Sequence, residues 1–109
     1  MMTIPKTNID MVMQVQLKMY EAALQKMMPQ RPATIALFLL IFPFFLEKDY
    51  FSNEELREKV IAKTGYYISQ EGFRKHIVAL FQYGLLSRKH YRAFGLNLQR
   101  IQSMNEEAR

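Results

Sequence analysis

The side chains best suited to binding chemistry lie in one short stretch, residues 69–92. This stretch holds five Lys or Arg and two His against a single acid, Glu71. The wider segment 59–100 holds eight Lys or Arg and one Glu, whereas the whole chain has a formal net charge of only +5. Cationic side chains gathered in one segment are typical of proteins that bind a polyanion. A basic segment can also be an ordinary solvated surface, so the elements that carry it decide between the two interpretations.

The sequence shows no pattern of residues that indicates catalysis. His76 and His90 are 14 positions apart, and neither has an acid or a cysteine at a spacing typical of a metal site or of a nucleophile with its base. The four glycines are dispersed, so no phosphate-binding glycine loop is expected. We therefore predict that the protein is not an enzyme and needs no metal or cofactor.

Two features concern the compartment. The chain contains no cysteine, which excludes a disulfide framework and a catalytic thiol and is typical of a reducing environment. The first 14 residues hold one lysine and no sustained apolar run, so we expect no secretory signal. Both features favour a cytoplasmic location.

The composition predicts one folded domain. The chain has 109 residues, of which 50% are hydrophobic and 13% aromatic, enough to bury a core. Its most apolar segment, residues 33–46, would extend about 21 Å as a helix, against about 30 Å for the hydrocarbon core of a bilayer. We predict a buried central helix, interrupted or ended by Pro43, and no membrane segment.

The next helix has clear boundary signals. Ser52 and Glu55 form a capping box, in which each side chain accepts a hydrogen bond from the backbone of the other. Phe51 and Leu56 flank that box as a hydrophobic staple. Gly65 suits the left-handed conformation that ends many helices. The pattern predicts a short helix that begins after Ser52 and ends at Gly65.

A second helix, residues 69–83, is expected to start at the capping residue Ser69. Phe73, Ile77 and Leu80 follow at helical spacing and define the face that packs on the core. Polar and basic side chains occupy the opposite face in the first two turns. A helix that enters the major groove of DNA places its base-contacting side chains there.

A basic hairpin is predicted to follow this helix. Residues 85–91 have the pattern of a strand, residues 92–95 that of a turn, and residues 96–99 that of a returning strand. The passage Leu-Phe-Gln-Tyr-Gly-Leu-Leu-Ser-Arg, residues 80–88, resembles the passage from recognition helix to wing in the winged helix-turn-helix superfamily. The resemblance covers residues 31–100 and depends on pattern and spacing.

The resemblance implies two sets of DNA-contacting residues. In the recognition helix, which would lie in the major groove, the matching positions are Ser69, Gln70, Arg74 and Lys75. In the wing, which would lie on the phosphates or in the minor groove, they are Arg88, Lys89, His90 and Arg92. The turn between the two helices departs from the family pattern because it holds two adjacent tyrosines, Tyr66 and Tyr67. We expect one of them to pack in the core.

The N-terminal segment carries a separate signal. Seven of the eight methionines lie in residues 1–28, and Met adapts to irregular contacts. Apolar residues there follow the spacing of two helices that pack along a seam. The seam residues are Met13, Leu17, Tyr20, Leu24 and Met27. They fit either a two-fold dimer interface or packing on the core of the same chain.

Together these patterns predict a mainly α-helical fold with a small β-hairpin, a winged helix-turn-helix preceded by a dimerisation helix. Residues 1–30 form the dimerisation helix, residues 31–100 the winged domain and residues 101–109 a tail. The expected function is sequence-specific binding of double-stranded DNA by a homodimer that regulates transcription in a bacterium, plasmid or phage. The alternative is a winged-helix module that binds another protein through its Met-rich helix. The sequence identifies no effector ligand.

Overall fold

The computed structural model describes residues 18–107, with side chains to residue 104. The fold is mainly helical with one small three-stranded antiparallel sheet. The helices are α1 (18–27), α2 (Pro32–Ile41), α3 (Phe44–Glu47), α4 (Asn53–Thr64), α5 (Gln70–Gln82) and α6 (Leu98–Glu107). The strands are β1 (Phe51–Ser52), β2 (Leu86–His90) and β3 (Ala93–Leu96), in the spatial order β1-β3-β2.

The apolar segment forms two helices around Pro43. Helix α2 ends at Ile41 and α3 begins at Phe44, because Pro43 has no N–H to continue the ladder of hydrogen bonds. Phe38 and Ile41 have no exposed surface, so α2 is the buried central helix that its composition predicts. None of the helices within residues 18–107 combines the length and apolar character needed to cross a bilayer.

The predicted helix caps are confirmed. The Glu55 N–H donates to Ser52 Oγ at 3.1 Å, and the Gly72 N–H donates to Ser69 Oγ at 3.0 Å. Gly65 ends α4 with a φ of 76°, the left-handed conformation expected of it. These local hydrogen bonds set where α4 and α5 begin and therefore which of their side chains face outward.

The sheet differs from the predicted hairpin in two ways. Strand β1, which was not predicted, pairs Phe51 with Phe94 of β3. The returning strand is Ala93–Leu96, so the prediction of a strand over 96–99 is wrong. The cause is Asn97, whose Oδ1 accepts a hydrogen bond from the Arg100 N–H at 3.3 Å and so caps α6.

Helix α6 replaces much of the expected tail. Ile101 and Met104 are each only 2% exposed and belong to the main hydrophobic cluster. Burying an aliphatic or Met side chain stabilises a fold by about 1.5–3 kcal/mol. The helix is therefore part of the folded unit.

Helix α1 packs on the core of its own chain. Leu24 is fully buried there, so for this seam residue the structure favours the alternative of packing on the core of the same chain. Tyr20 and Met27 are partly buried against the same cluster. Met13 and Leu17 lie outside the described residues.

Aromatic contacts join the hairpin to the helices. The ring of Phe94 in β3 lies 5.5 Å from that of Phe81 in α5 and 6.4 Å from that of Phe45 in α3. Such ring pairs add about 0.5–1.5 kcal/mol to the effect of burial. Since Phe94 is 2% exposed, this contact holds the hairpin beside α5.

Candidate nucleic-acid interface

Helix α5 has one buried and one exposed face. Phe73, Ile77 and Leu80 are buried in the core, as their spacing predicts. Gln70, Arg74 and Lys75 are exposed. Ser69 is exposed too, but its hydroxyl is engaged in the helix cap.

The basic residues of α5 and the hairpin meet at one groove. Arg74 from α5 and Arg88 and Arg92 from the hairpin line an open cavity of about 600 Å³. The cavity lies between α5, the N-terminus of α4 and the hairpin. Its apolar lining residues are Ile77, Val78, Phe81 and Phe94. We call this cavity the arginine groove.

The arginine groove is lined by three arginines and one acid, Glu54. Arg74, Arg88 and Arg92 have no carboxylate within ion-pair distance among the described residues. Arg88 instead places its guanidinium 5.4 Å from the ring centroid of Phe81, a cation–π contact that orients it toward α5. Lys75 differs, because its Nζ lies 3.9 Å from a carboxylate oxygen of Glu71 one turn earlier. The available positive charge on this face is therefore mainly that of the three arginines.

A second groove adjoins the first. Its volume is about 350 Å³. Its lining residues are Asn53, Glu54, Arg57, Gln70, Glu71 and Arg74. Because Arg74 lines both cavities, they form one continuous surface along the exposed ridge of α5.

The structure divides the predicted wing residues between two faces. Arg88 and Arg92 line the arginine groove, whereas Lys89 and His90 line a cavity on the other face of the hairpin, with Asp49 and Tyr50. Successive side chains of a strand point to opposite faces. An irregularity in the pairing between Arg88 and His90 then leaves His90 on the side of Lys89.

His90 has an aromatic partner on that second face. Its ring centroid lies 4.5 Å from that of Tyr50 in an edge-to-face arrangement. Lys89 packs close to Gly95, since a Cβ built on Gly95 would lie 3.0 Å from Lys89 Cε. Neither side chain shares a cavity with Arg74, so the four predicted wing residues lie on two faces of the hairpin and not on one.

The turn before α5 contains a feature that the sequence did not indicate. The Nε–H of Arg57 donates to the carbonyl oxygen of Ile68 at 2.8 Å, and its guanidinium lies 5.4 Å from the ring centroid of Tyr67. Arg57 thereby ties α4 to the loop that leads into α5. Its only sequence signal is a position beside the buried Leu56, which is not specific for a binding role.

The two tyrosines of this turn are both exposed. Tyr66 is 76% and Tyr67 77% exposed, so the expectation that one of them packs in the core is wrong. Ile68 takes the inward position instead and packs against the hydrophobic cluster. Since Ile68 is smaller and lacks a polar group, it fills that site without a buried hydroxyl to satisfy.

Within residues 18–104 no group of three His, Asp or Glu side chains is arranged to hold a metal ion. His76 is turned toward α2, where its Nδ1 lies 2.8 Å from the hydroxyl of Thr34.

Comparison of the chain with protein-family models, curated proteins and solved structures gave no match.

Proposed function

We propose that this protein binds double-stranded DNA sequence-specifically, with the arrangement of a winged helix-turn-helix. Helix α5 lies in the major groove and the hairpin lies on the adjacent backbone. The observation that carries this proposal is the arginine groove, in which Arg74, Arg88 and Arg92 from two elements converge beside a single acid. Among the described residues these arginines form no ion pair.

The charge distribution supports this role more than a role in stability. Exposed charges contribute little to folding, and like charges placed together repel each other. The negative charges of a polyanion offset that repulsion. Binding is favoured further because each phosphate neutralised by Lys or Arg releases condensed counterions. The three guanidinium groups therefore favour a ligand whose negative charges are spaced along a chain.

The shape of the surface supports a duplex. The major groove is about 12 Å wide and admits an α-helix. Arg74 stands at the middle of the exposed ridge of α5, where it lines both cavities. A guanidinium there can donate two hydrogen bonds to a guanine edge, and Gln70 one turn earlier can pair with adenine. Arg88 and Arg92 serve as backbone contacts that position the helix.

The proposed regulator acts as a homodimer. Two copies related by a two-fold axis present two α5 helices to half-sites about 10–10.5 bp apart, or a multiple of that distance. Tyr20 and Met27 are partly buried on α1 and are the described seam residues that remain open to a partner. Control of transcription by occupancy of such a site, in a bacterium, plasmid or phage, is the corresponding biological role.

A second candidate function has its own observation. Leu46 and Leu98 are 58% and 64% exposed, and they line the cavity on the far face of the hairpin together with Tyr50. Exposed apolar side chains that share a cavity favour contact with another protein. This alternative predicts DNA binding that is weak, sensitive to salt and without sequence preference.

Selection of bound sequences from a random duplex library at near-physiological salt tests the proposal. We expect a recovered motif in the form of an inverted repeat with helical-turn spacing, and a dimer mass in the same buffer. A folded protein that recovers no motif would refute sequence-specific binding and favour the interaction module.

A further inference from the structure

Three residues form a line along the outer surface of α5. Gln70, Arg74 and Val78 are spaced four apart, which places them one above the other on the same face of the helix. Gln70 shares one cavity with Arg74, and Val78 shares the arginine groove with it. The line therefore runs from an amide through a guanidinium to an apolar group.

Val78 is the unusual member of this line. It is 46% exposed, whereas its neighbours Ile77 and Ala79 are 4% and 2% exposed and belong to the buried face. A β-branched residue on an exposed helical face is less favourable than Ala, because it loses side-chain freedom against the preceding turn. Nearly half of the Val78 side chain is therefore open to solvent, in a groove that three arginines and other apolar side chains also line.

DNA offers one apolar group at that location. The 5-methyl group of thymine is the only aliphatic group that a base pair presents in the major groove, and apolar side chains recognise it by contact. Four residues of helix rise about 6 Å, and successive base pairs rise about 3.4 Å. A side chain four residues from Arg74 thus reaches a base about two pairs from the one that Arg74 contacts.

We infer that Val78 is a specificity-determining residue that packs on the 5-methyl group of a thymine within about three base pairs of the guanine contacted by Arg74. The inference rests on the proposed function and extends it, because it specifies part of the recognised sequence. Burying one methyl group corresponds to about 0.8 kcal/mol, which is about a fourfold change in affinity.

The test uses the tightest duplex recovered from the random library. Each guanine is first replaced by 7-deazaguanine, which removes the N7 acceptor, to find the one whose contribution disappears in Arg74→Ala. Each thymine is then replaced singly by deoxyuridine, which lacks only the methyl group. Dissociation constants are measured by fluorescence anisotropy for the wild-type chain, for Val78→Ala and for Leu46→Ala, an exposed apolar control on the other face of the hairpin.

We expect one thymine near that guanine to lose about fourfold in wild-type affinity on replacement by deoxyuridine. Val78→Ala should lose a similar factor on the thymine duplex and should no longer distinguish thymine from deoxyuridine there, whereas Leu46→Ala should behave as wild type. This loss of additivity is the signature of direct contact. The deoxyuridine series needs no altered protein, so it stands even if Val78→Ala folds poorly.

Two results would overturn the inference while leaving the proposed function intact. One is Arg74-dependent binding to a duplex in which no thymine near the guanine responds to deoxyuridine. The other is a well-folded Val78→Ala that still distinguishes the two bases as wild type does. If the wild-type chain prefers no duplex at all, the proposed function fails and the inference fails with it.

Discussion

The hydroxyl of Thr34 in α2 and Nδ1 of His76 in α5 lie 2.8 Å apart and share a hydrogen bond. Thr34 is 2% exposed, and it is the buried polar residue of the described core. His76 stands on the inner edge of α5, two residues from Arg74. This bond therefore couples the central helix to the helix that carries the candidate DNA-binding surface.

Thr34→Val should lower the free energy of unfolding by about 1 kcal/mol, because it keeps the shape of the side chain but leaves the His76 ring without its partner. The midpoint of thermal unfolding should fall by roughly 4–8 °C for a domain of this size. Circular dichroism against temperature measures it. Thr34→Ser, which retains the hydroxyl, is the control that separates the hydrogen bond from packing. Equal stability of Thr34→Val and wild type would show that the bond contributes nothing.

Gly95→Ala should destabilise the fold by about 1–3 kcal/mol, the usual effect of overpacking. A Cβ at this buried position would overlap the main-chain oxygen of Asp49 and press on Lys89. Chemical denaturation measures the loss. Gly65→Ala is the comparison, since Gly65 has no atom within 4 Å of an added Cβ and only its φ of 76° opposes a side chain. If Gly95→Ala left stability unchanged, the close approach of β3 to Asp49 would be refuted.

Arg74→Ala should cost about 1–3 kcal/mol on the selected duplex and relax its base preference, because it removes a contact to a base edge. Arg92→Ala should instead weaken binding to every duplex and lower the salt slope by about one, as loss of a phosphate contact does. Titrations at several salt concentrations on selected and scrambled duplexes distinguish the two.

Lys89→Ala provides the matched control for Arg92→Ala. It also removes one positive charge from the hairpin, but its side chain lies on the face away from the arginine groove. We expect a smaller loss of affinity than for Arg92→Ala. Equal losses for both variants would mean that charge alone matters and that the division of the hairpin into two faces has no role in binding.

Acid should weaken the contact between Lys48 and Glu55. Lys48 Nζ donates to both carboxylate oxygens of Glu55, at 3.1 and 2.9 Å, and this hydrogen bonding holds the pKa of Glu55 below its ordinary value. Partial burial opposes the effect, while the Ser52 backbone N–H lowers the pKa further. Since the pKa is lower in the folded chain, the stabilisation is present above the unfolded pKa and is lost as the pH falls through the folded pKa.

Lys48→Met should therefore reduce stability near neutral pH and have a smaller effect at about pH 2, because protonation of Glu55 weakens its pair with Lys48 as the pH falls. Methionine keeps an apolar stem beside Phe51, over whose ring Lys48 lies. Urea unfolding at the two pH values measures the difference. Glu54→Gln is the control for loss of a neighbouring charge, because Glu54 is exposed and forms no ion pair with Lys48. A stability deficit of equal size at both pH values would assign the effect of Lys48 to packing.

The helix boundaries could be predicted because their causes are local. Ser52, Gly65 and Ser69 act on backbone groups within four residues of themselves, so the sequence around each contains the whole interaction. Asn97 belongs to the same class and was missed, because apolar residues on both sides of it also fit a returning strand. Strand β1 is only two residues long, too short for an alternating pattern to appear.

The sequence alone determined that the candidate site is positively charged. Which of the basic residues lie together on one surface was decided by the tertiary structure. The positive segment, the amphipathic α5 and the basic hairpin all follow from residue type and spacing. Residue type and spacing do not determine which cationic side chains share a surface. Side chains adjacent in sequence, such as Arg88 and Lys89, point to opposite faces of a strand. Arg57 reaches the surface of α5 through contacts with a loop eleven positions away. Such distant groups come together only when the helices and strands pack against each other, and the local sequence pattern does not determine that packing.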